Sequence, residues 1–294
     1  MEYKVNEIID SKFVLIKPMG VDAYSEVWLA INTAINIYVV LKLYKPSSEL
    51  VQNYLGRGQW SRAVCNIHHK NVLLPLSANV YNDKLYIVLP YCKNGSILRR
   101  VGTFTERQTW KLLYDVSGGL SVLHNMNPPI IHQNLKPDNI LIDDDGDFVI
   151  SDFGIDSIIK NTYNSEKTYL PCGNCTYQAP ELFTVKGTYL ASCDIYSLGV
   201  VAFEMISGNP PFGDYGGSLQ LRGEVVPTLG NGCSDVLRMV IERCLRENPN
   251  ERLTAKQLHN YAELAVSGQI EHLKRILPRK RKWYHFFIKA IFFR

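Results

Sequence analysis

The stretch IIHQNLKPDNIL, from Ile130 to Leu141, sets polar side chains at a spacing suited to work on an anionic group. Asn134, Lys136 and Asn139 lie close together in it, and Asp152 follows thirteen residues after Asn139. The oxygens of Asn and Asp are hard donors, the kind magnesium prefers. A lysine beside them can offset negative charge. Asn134 raises the sharpest question. An amide oxygen can orient a hydroxyl group but cannot take up its proton near neutral pH. A side chain that acts as general base contributes ~10²–10⁴ in rate.

These residues need a scaffold, and the pattern around them predicts one. Between about Lys12 and Tyr91 the runs FVLIKPMG, EVWLAIN, IYVVLKLY and LYIVLPY are short, β-branched and aromatic, and Gly, Asn, Asp and Pro divide them. One helical candidate, about Ser47 to Ile67, interrupts this region and is itself weakened by Gly56 and Gly58. After Cys92 the period changes. In ERQTWKLLYDVSGGLSVLHNM, Trp110, Leu113, Val116, Leu120 and Leu123 recur at steps of three and four, which predicts an amphipathic helix with Thr105 as its cap. Further helices are expected over Ala191–Ser207, Cys233–Arg246 and Ala255–Val266. The chain thus reads as a small β-rich lobe followed by a larger helical lobe.

Bulk properties agree with one such body. The chain has 294 residues, 46% hydrophobic and 20% charged, enough to bury a sizeable core. A net charge of +4 is mild and gives no reason to expect nucleic acid. Seven cysteines, an odd number in a chain of this size, argue against a disulfide scaffold. The opening MEYKVNEIIDSK has no apolar signal core, so a cytoplasmic protein with free thiols is expected. No stretch reaches the ~18 consecutive apolar residues of a membrane-spanning helix.

Seven fragments stand in a fixed order: MGVDAYSEV, VVLK, HQNLKPDN, DFG, APE, DIYSLG and NPNERL. Each alone is weak. Together they resemble a eukaryotic-type Ser/Thr protein kinase domain, over roughly Phe13 to Ala265. The resemblance implies an α+β, bilobal fold. Its small lobe with hinge spans 1–92, its large lobe 93–266, and a basic and aromatic tail 267–294. It also implies ATP and Mg²⁺ as ligands. Lys42 matches the strand lysine that contacts the α and β phosphates. Asn139 and Asp152 match the two metal ligands, and Lys136 the lysine of the catalytic loop. Leu89 matches the residue before the hinge Pro90-Tyr91-Cys92, where the carbonyl of Pro90 and the amide of Cys92 would hold adenine. Gly20 and Val27 match the phosphate-loop frame. His132 and Phe153 match an apolar stack between the lobes, Asp194 an acceptor for the catalytic-loop backbone, and Glu181 with Arg252 a buried ion pair.

Four departures converge on the chemistry. Asn134 replaces the acid that accepts the substrate proton, and Gln133 replaces the neighbouring arginine. An acid on the small-lobe helix, expected near Gln59 and Trp60, is missing, and Glu49 is too far upstream. Of the glycines in the phosphate loop only Gly20 remains, with Asp22 and Ser25 at the other two places. Asn174 stands where a threonine is usual. The reading is a nucleotide-binding pseudokinase with impaired phosphoryl transfer, acting as scaffold or allosteric regulator of an unnamed protein partner. Its rivals are a low-turnover Ser/Thr kinase acting on protein hydroxyls and a membrane-associated adaptor.

Three segments could regulate. Asp152 to Glu181 contains Thr162, Tyr163, Ser165, Thr168 and Tyr169, all possible phosphate acceptors, although loops are commonly rich in hydroxyls. Cys172 and Cys175 have C-x-x-C spacing. No second pair completes a zinc site, so ordinary thiols are the simpler reading. In RKRKWYHFFIKAIFFR, residues 279–294, basic residues precede an aromatic run. On a helix, Lys282, His285 and Lys289 would fall on one side, as in a peripheral membrane anchor. Docking to a protein, or packing on the domain itself, would suit the same segment.

Overall fold

The computed structural model describes residues 2–21, 25–45, 67–153, 175–184, 187–230 and 232–277. All of the helix expected over about Ser47 to Ile67 except Ile67, the position near Trp60 where an acid is missing, Asp22, Asn174, the five hydroxyl residues after Asp152, Cys172 and the segment 279–294 lie outside them.

The small lobe is one antiparallel sheet of six strands: β1 (Ile8–Ile9), β2 (Phe13–Val21), β3 (Ser25–Asn32), β4 (Ile37–Tyr44), β5 (Ser77–Tyr81) and β6 (Lys84–Pro90), in the order β1-β2-β3-β4-β6-β5. The four long runs of the sequence are β2, β3, β4 and β6. Residues directly opposed in antiparallel strands point to the same face. Register therefore divides the sheet into two surfaces. Trp28, Ala30, Val39, Leu41, Tyr86 and Val88 turn to one side and form a closed cluster with Ile9, Phe13 and Leu15. On the other side Tyr44, Leu85 and Ile87 join the core of the large lobe.

The large lobe is built on α1 (Glu106–His124), α2 (Ala191–Ser207), α3 (Asp235–Cys244), α4 (Ala255–Val266) and α5 (Ile270–Ile276). A short hairpin of β7 (Ile140–Ile142) and β8 (Phe148–Ile150) lies against α1. Thr105 caps α1 through a reciprocal box. Its hydroxyl accepts from the backbone N–H of Gln108 at 3.3 Å, and the Gln108 amide oxygen accepts from the N–H of Thr105 at 2.9 Å. The five apolar residues predicted for the inner face of α1 are all buried. Helix α2 is apolar almost all round and runs through the core. It stops at Gly208, whose φ of 83° is left-handed. α1 packs so closely here that a Cβ on Gly119 would lie 2.9 Å from the Asn71 carbonyl oxygen and 3.1 Å from the Ile150 side chain of β8.

Three helix boundaries shift from expectation. The predicted Cys233–Arg246 begins at Asp235, because the Ser234 hydroxyl accepts from Leu237 N–H at 3.3 Å and fixes the cap there. It ends at Cys244. The helix after Thr105 ends at His124 rather than Met126. The segment grouped with the basic tail contains α5, whose Leu273 is buried, as is Leu277 just beyond it.

The expected Glu181–Arg252 pair forms. Two guanidinium nitrogens donate to the two carboxylate oxygens at 2.7 and 2.6 Å. Arg252 also donates to the carbonyls of Arg246, Ser192 and Glu247, and its side chain is fully enclosed. Burial alone would raise the Glu181 carboxyl. The two bonds from Arg252 outweigh that and hold it below the ordinary glutamate value. A carboxyl depressed in the folded state stabilises the fold above its unfolded pKa, about 4.3, and this contribution disappears as pH falls through the folded value. Glu181→Gln is expected to cost about 3–5 kcal/mol at pH 7, because it leaves a buried guanidinium without its counter-charge. Urea unfolding against pH should show a shallower loss of stability in acid for the variant than for the parent.

Candidate active site

The loop around Asn134 is held from α2. The Asp194 carboxylate, 1% exposed, accepts the backbone N–H of His132 at 2.8 Å and of Gln133 at 2.9 Å. His124 Nε2 lies 2.7 Å from the same carboxylate. Gln133 takes a φ of 65°, which is uncommon for a residue with a side chain. The bond from its N–H to Asp194 is one of the contacts that hold it there. His132 is buried, as expected for a member of the stack, and so is Phe153. Burial holds the His132 imidazole below its ordinary value, so it is a neutral ring. Its Nδ1 accepts from the N–H of Asn134 at 3.3 Å.

Asn139 closes the loop from the other end. It is almost fully buried, and its amide nitrogen donates to the carbonyl of Asn134 at 2.8 Å. Asn134 is thereby fixed through its backbone on both sides. Its half-buried side-chain amide takes no hydrogen bond among the described residues. Lys136, just beyond, is one-third exposed and lies 3.9 Å from Asp138.

The hairpin β7–β8 sets Asn139 near Asp152. Both the N–H and the hydroxyl of Ser151 donate to the Asn139 carbonyl, at 2.9 and 3.2 Å. Asp152 follows at a φ of 61°, a backbone strain of the kind that clusters at working sites. Its Oδ1 accepts from Lys42 Nζ at 3.0 Å, across 110 residues of chain and between the two lobes. Lys42 is 3% exposed, buried where an unpaired ammonium would be unstable.

The donor set fits magnesium. The amide nitrogen of Asn139 is committed to a carbonyl, which leaves its oxygen to face a cation. Asp152 has a second carboxylate oxygen free of the lysine among the described residues. Two hard donors do not make a cage, and no cluster of three His, Cys, Asp or Glu among the described residues could hold a metal. Magnesium is commonly bound in this way, with one or two protein oxygens and the rest from phosphates and water.

The sheet supplies the roof. Gly20 opposes Val27, Val27 opposes Lys42, and Lys42 opposes Ile87, a row across four strands on one face. Two residues along, Leu29, Val40 and Leu89 form a second row on that face. Leu29 and Val40 are buried and, among the described residues, belong to neither hydrophobic cluster. Beyond Pro90 at the end of β6, the backbone N–H of Cys92 donates to no carbonyl among the described residues. A side chain at Gly20 would meet nothing within 4 Å, so the fold itself does not demand glycine there.

Register and contacts thus link Gly20, Val27, Lys42 and Leu89 on one sheet face to Asp152, and Asp152 through Ser151 and Asn139 to the backbone of Asn134. Motif reading missed Leu29, Val40 and Ile87 on the same face, and Ser151. The alternation within VWLA and VVLK carried the signal for the first two.

The Protein kinase domain family matches residues 13–262. The chain belongs to the eukaryotic-type Ser/Thr protein kinase family. An Aurora kinase of Schizosaccharomyces pombe is 32% identical over 257 residues, covering 84% of this chain and 69% of the relative. A probable serine/threonine-protein kinase of Dictyostelium discoideum is 30% identical over 261 residues, 85% of this chain and 24% of that protein. CBL-interacting protein kinase 5 of rice is 26% identical, covering 88% and 56%. This kinase domain therefore spans from about a quarter to about two thirds of the length of these relatives.

Within the kinase domain, Asp194 carries the geometry of the catalytic loop. Asp194→Ala removes an acceptor shared by two backbone N–H groups and His124, and is expected to cost about 3 kcal/mol. Hydrogen–deuterium exchange should show His132 and Gln133 losing protection before the rest of the large lobe.

Proposed function

We propose that this kinase domain binds Mg-ATP with impaired phosphoryl transfer and works as a scaffold or allosteric regulator of a protein partner. Asn134 carries the reading. It occupies the place of the proton acceptor in a loop that is otherwise held in shape, and its amide cannot act as a base. ATP, when bound, supplies the γ-phosphoryl group. Lys42 would face the phosphates, Asn139 and Asp152 would hold magnesium, and the Pro90 carbonyl and Cys92 N–H would meet the adenine edge. Val40 and Leu29 would cover the ring.

Phosphoryl transfer forms little bond to the nucleophile in its transition state, so loss of the base need not abolish it. A second reading, a slow Ser/Thr kinase, draws on the same geometry. In that reading Lys136 would offset charge on the transferring group, and Asn134 would orient a hydroxyl.

Two experiments separate these readings. Isothermal titration with Mg-ATP is expected to show binding that Asp152→Asn weakens at least tenfold; no binding to the parent would leave a scaffold without nucleotide. Intact-mass spectrometry after long incubation with Mg-ATP and a basic protein substrate is expected to show no added phosphate. If phosphate appears on the parent and not on Asp152→Asn, the chain is a slow kinase. Asn134→Asp should then raise turnover ~10-fold or more, the low end of general-base assistance.

A further inference from the structure

Two half-buried histidines from distant parts of the chain meet on α1. His69 lies in the segment before β5, and His259 lies on α4. Both rings stand within 3.3 Å of the place a Cβ on Gly118 would take. Their hydrogen bonds fix which nitrogen carries a proton. His259 Nδ1 is 3.0 Å from the Tyr114 carbonyl, which can only accept, so this nitrogen bears hydrogen. His69 Nδ1 accepts from the backbone N–H of Asn71 at 3.2 Å, so it bears none. Neutral His69 therefore carries its hydrogen on Nε2. A second proton can only go to Nδ1, where it would face the N–H of Asn71 and break that bond.

Asn71 is where this matters. It is buried and ties the segment to β8. Its carbonyl accepts from the N–H of Ile150 at 2.9 Å, and its amide donates to the carbonyl of Phe148 at 2.9 Å. Leu73 N–H donates to the carbonyl of Ile150 at 2.9 Å. Ser151 and Asp152 follow Ile150 directly. Charged and titratable groups reach His69 from each element packed on it. α4 brings His259. α1 brings Asp115, whose Oδ2 accepts from Lys111 and from the N–H of Phe148, and whose buried Oδ1 takes no hydrogen bond among the described residues. The segment itself brings Lys70, paired with Asp147 of the hairpin at 2.7 Å, and Asp147 also accepts from Lys111. Burial first, then His259 and Lys70, hold the His69 imidazole below its ordinary value, and Asp115 opposes them without prevailing. We propose that His69 is a proton-operated latch: as a neutral ring it holds the turn at Asn71 against β8, and as an imidazolium it releases that turn and loosens the strand that leads into Asp152. The latch is closed above the ordinary histidine value of about 6.5 and opens as pH falls through the lower value of the folded protein.

The test is hydrogen–deuterium exchange of the full chain between about pH 8 and pH 5, where histidine titrates, corrected for the intrinsic rate at each pH. No nucleotide is present, so the outcome is independent of the proposed ATP binding. Residues 71–73 and 148–150 should lose protection about fivefold in acid, the worth of one neutral hydrogen bond. Helix α2 should keep its protection. His69→Asn retains an oxygen that can accept from the N–H two residues on but does not titrate, so its protection should stay level. His259→Gln removes a group that disfavours the charged ring, so release should move to higher pH. Protection in the parent that ignores pH would overturn the latch. An equal loss in His69→Asn would overturn it too, and assign the effect to carboxylates. If His69→Asn does not fold, His259→Gln decides, because an unmoved midpoint there would overturn the role of the facing rings.

Discussion

One buried carboxylate organises the working half of this molecule. Asp194 is almost fully enclosed and is stable there because its oxygens meet two backbone N–H groups and an imidazole. A charge in so apolar a place is tolerated only with such partners. What it holds is a loop with no regular hydrogen bonding of its own. From that loop the contacts run on without a gap. Asn139 grips the carbonyl of Asn134, Ser151 grips the carbonyl of Asn139, and Asp152 meets Lys42 on the opposite lobe. The path from α2 to β4 is made of short polar contacts in a surrounding of low polarity, where each is stronger than it would be in water.

That arrangement explains how a chemical residue can change while its setting persists. The side chain of Asn134 takes no hydrogen bond among the described residues, and its backbone does the structural work. An acid and an amide of the same shape are equivalent to the fold at this point. Asp194, Glu181 and Arg252 are different, because each answers a buried partner of opposite character. Selection on stability acts on these three and is blind to position 134, so fold and chemistry can part company here.

Much of this was legible in the sequence, for identifiable reasons. The bounds of α2 and α4 agree with expectation because periodicity and capping are local signals. Thr105 and Gln108 announce their helix by spacing alone. β5 escaped notice because SANVY is short and largely exposed and becomes a strand through pairing with β6. β1 is two residues long and exists only as an edge on β2. α5 lies beyond the matched family region and was overshadowed by the basic run after it. Single residues of the site were identified from motifs. The rows they form across strands depend on register, which is set by contacts distant in sequence, so Val40, Leu29 and Ile87 emerged only in three dimensions.

The two surfaces of the small-lobe sheet have separate fates. One is sealed by Trp28, Tyr86 and their neighbours and shares no residue with the large core. The other carries Lys42 and the residues beside it. A cavity cut behind Trp28 would loosen the sheet from the back, while the front row would keep its spacing in every molecule that remained folded. Inherited changes on the hidden side should therefore alter how much protein a cell retains, and changes on the facing side how well each copy performs.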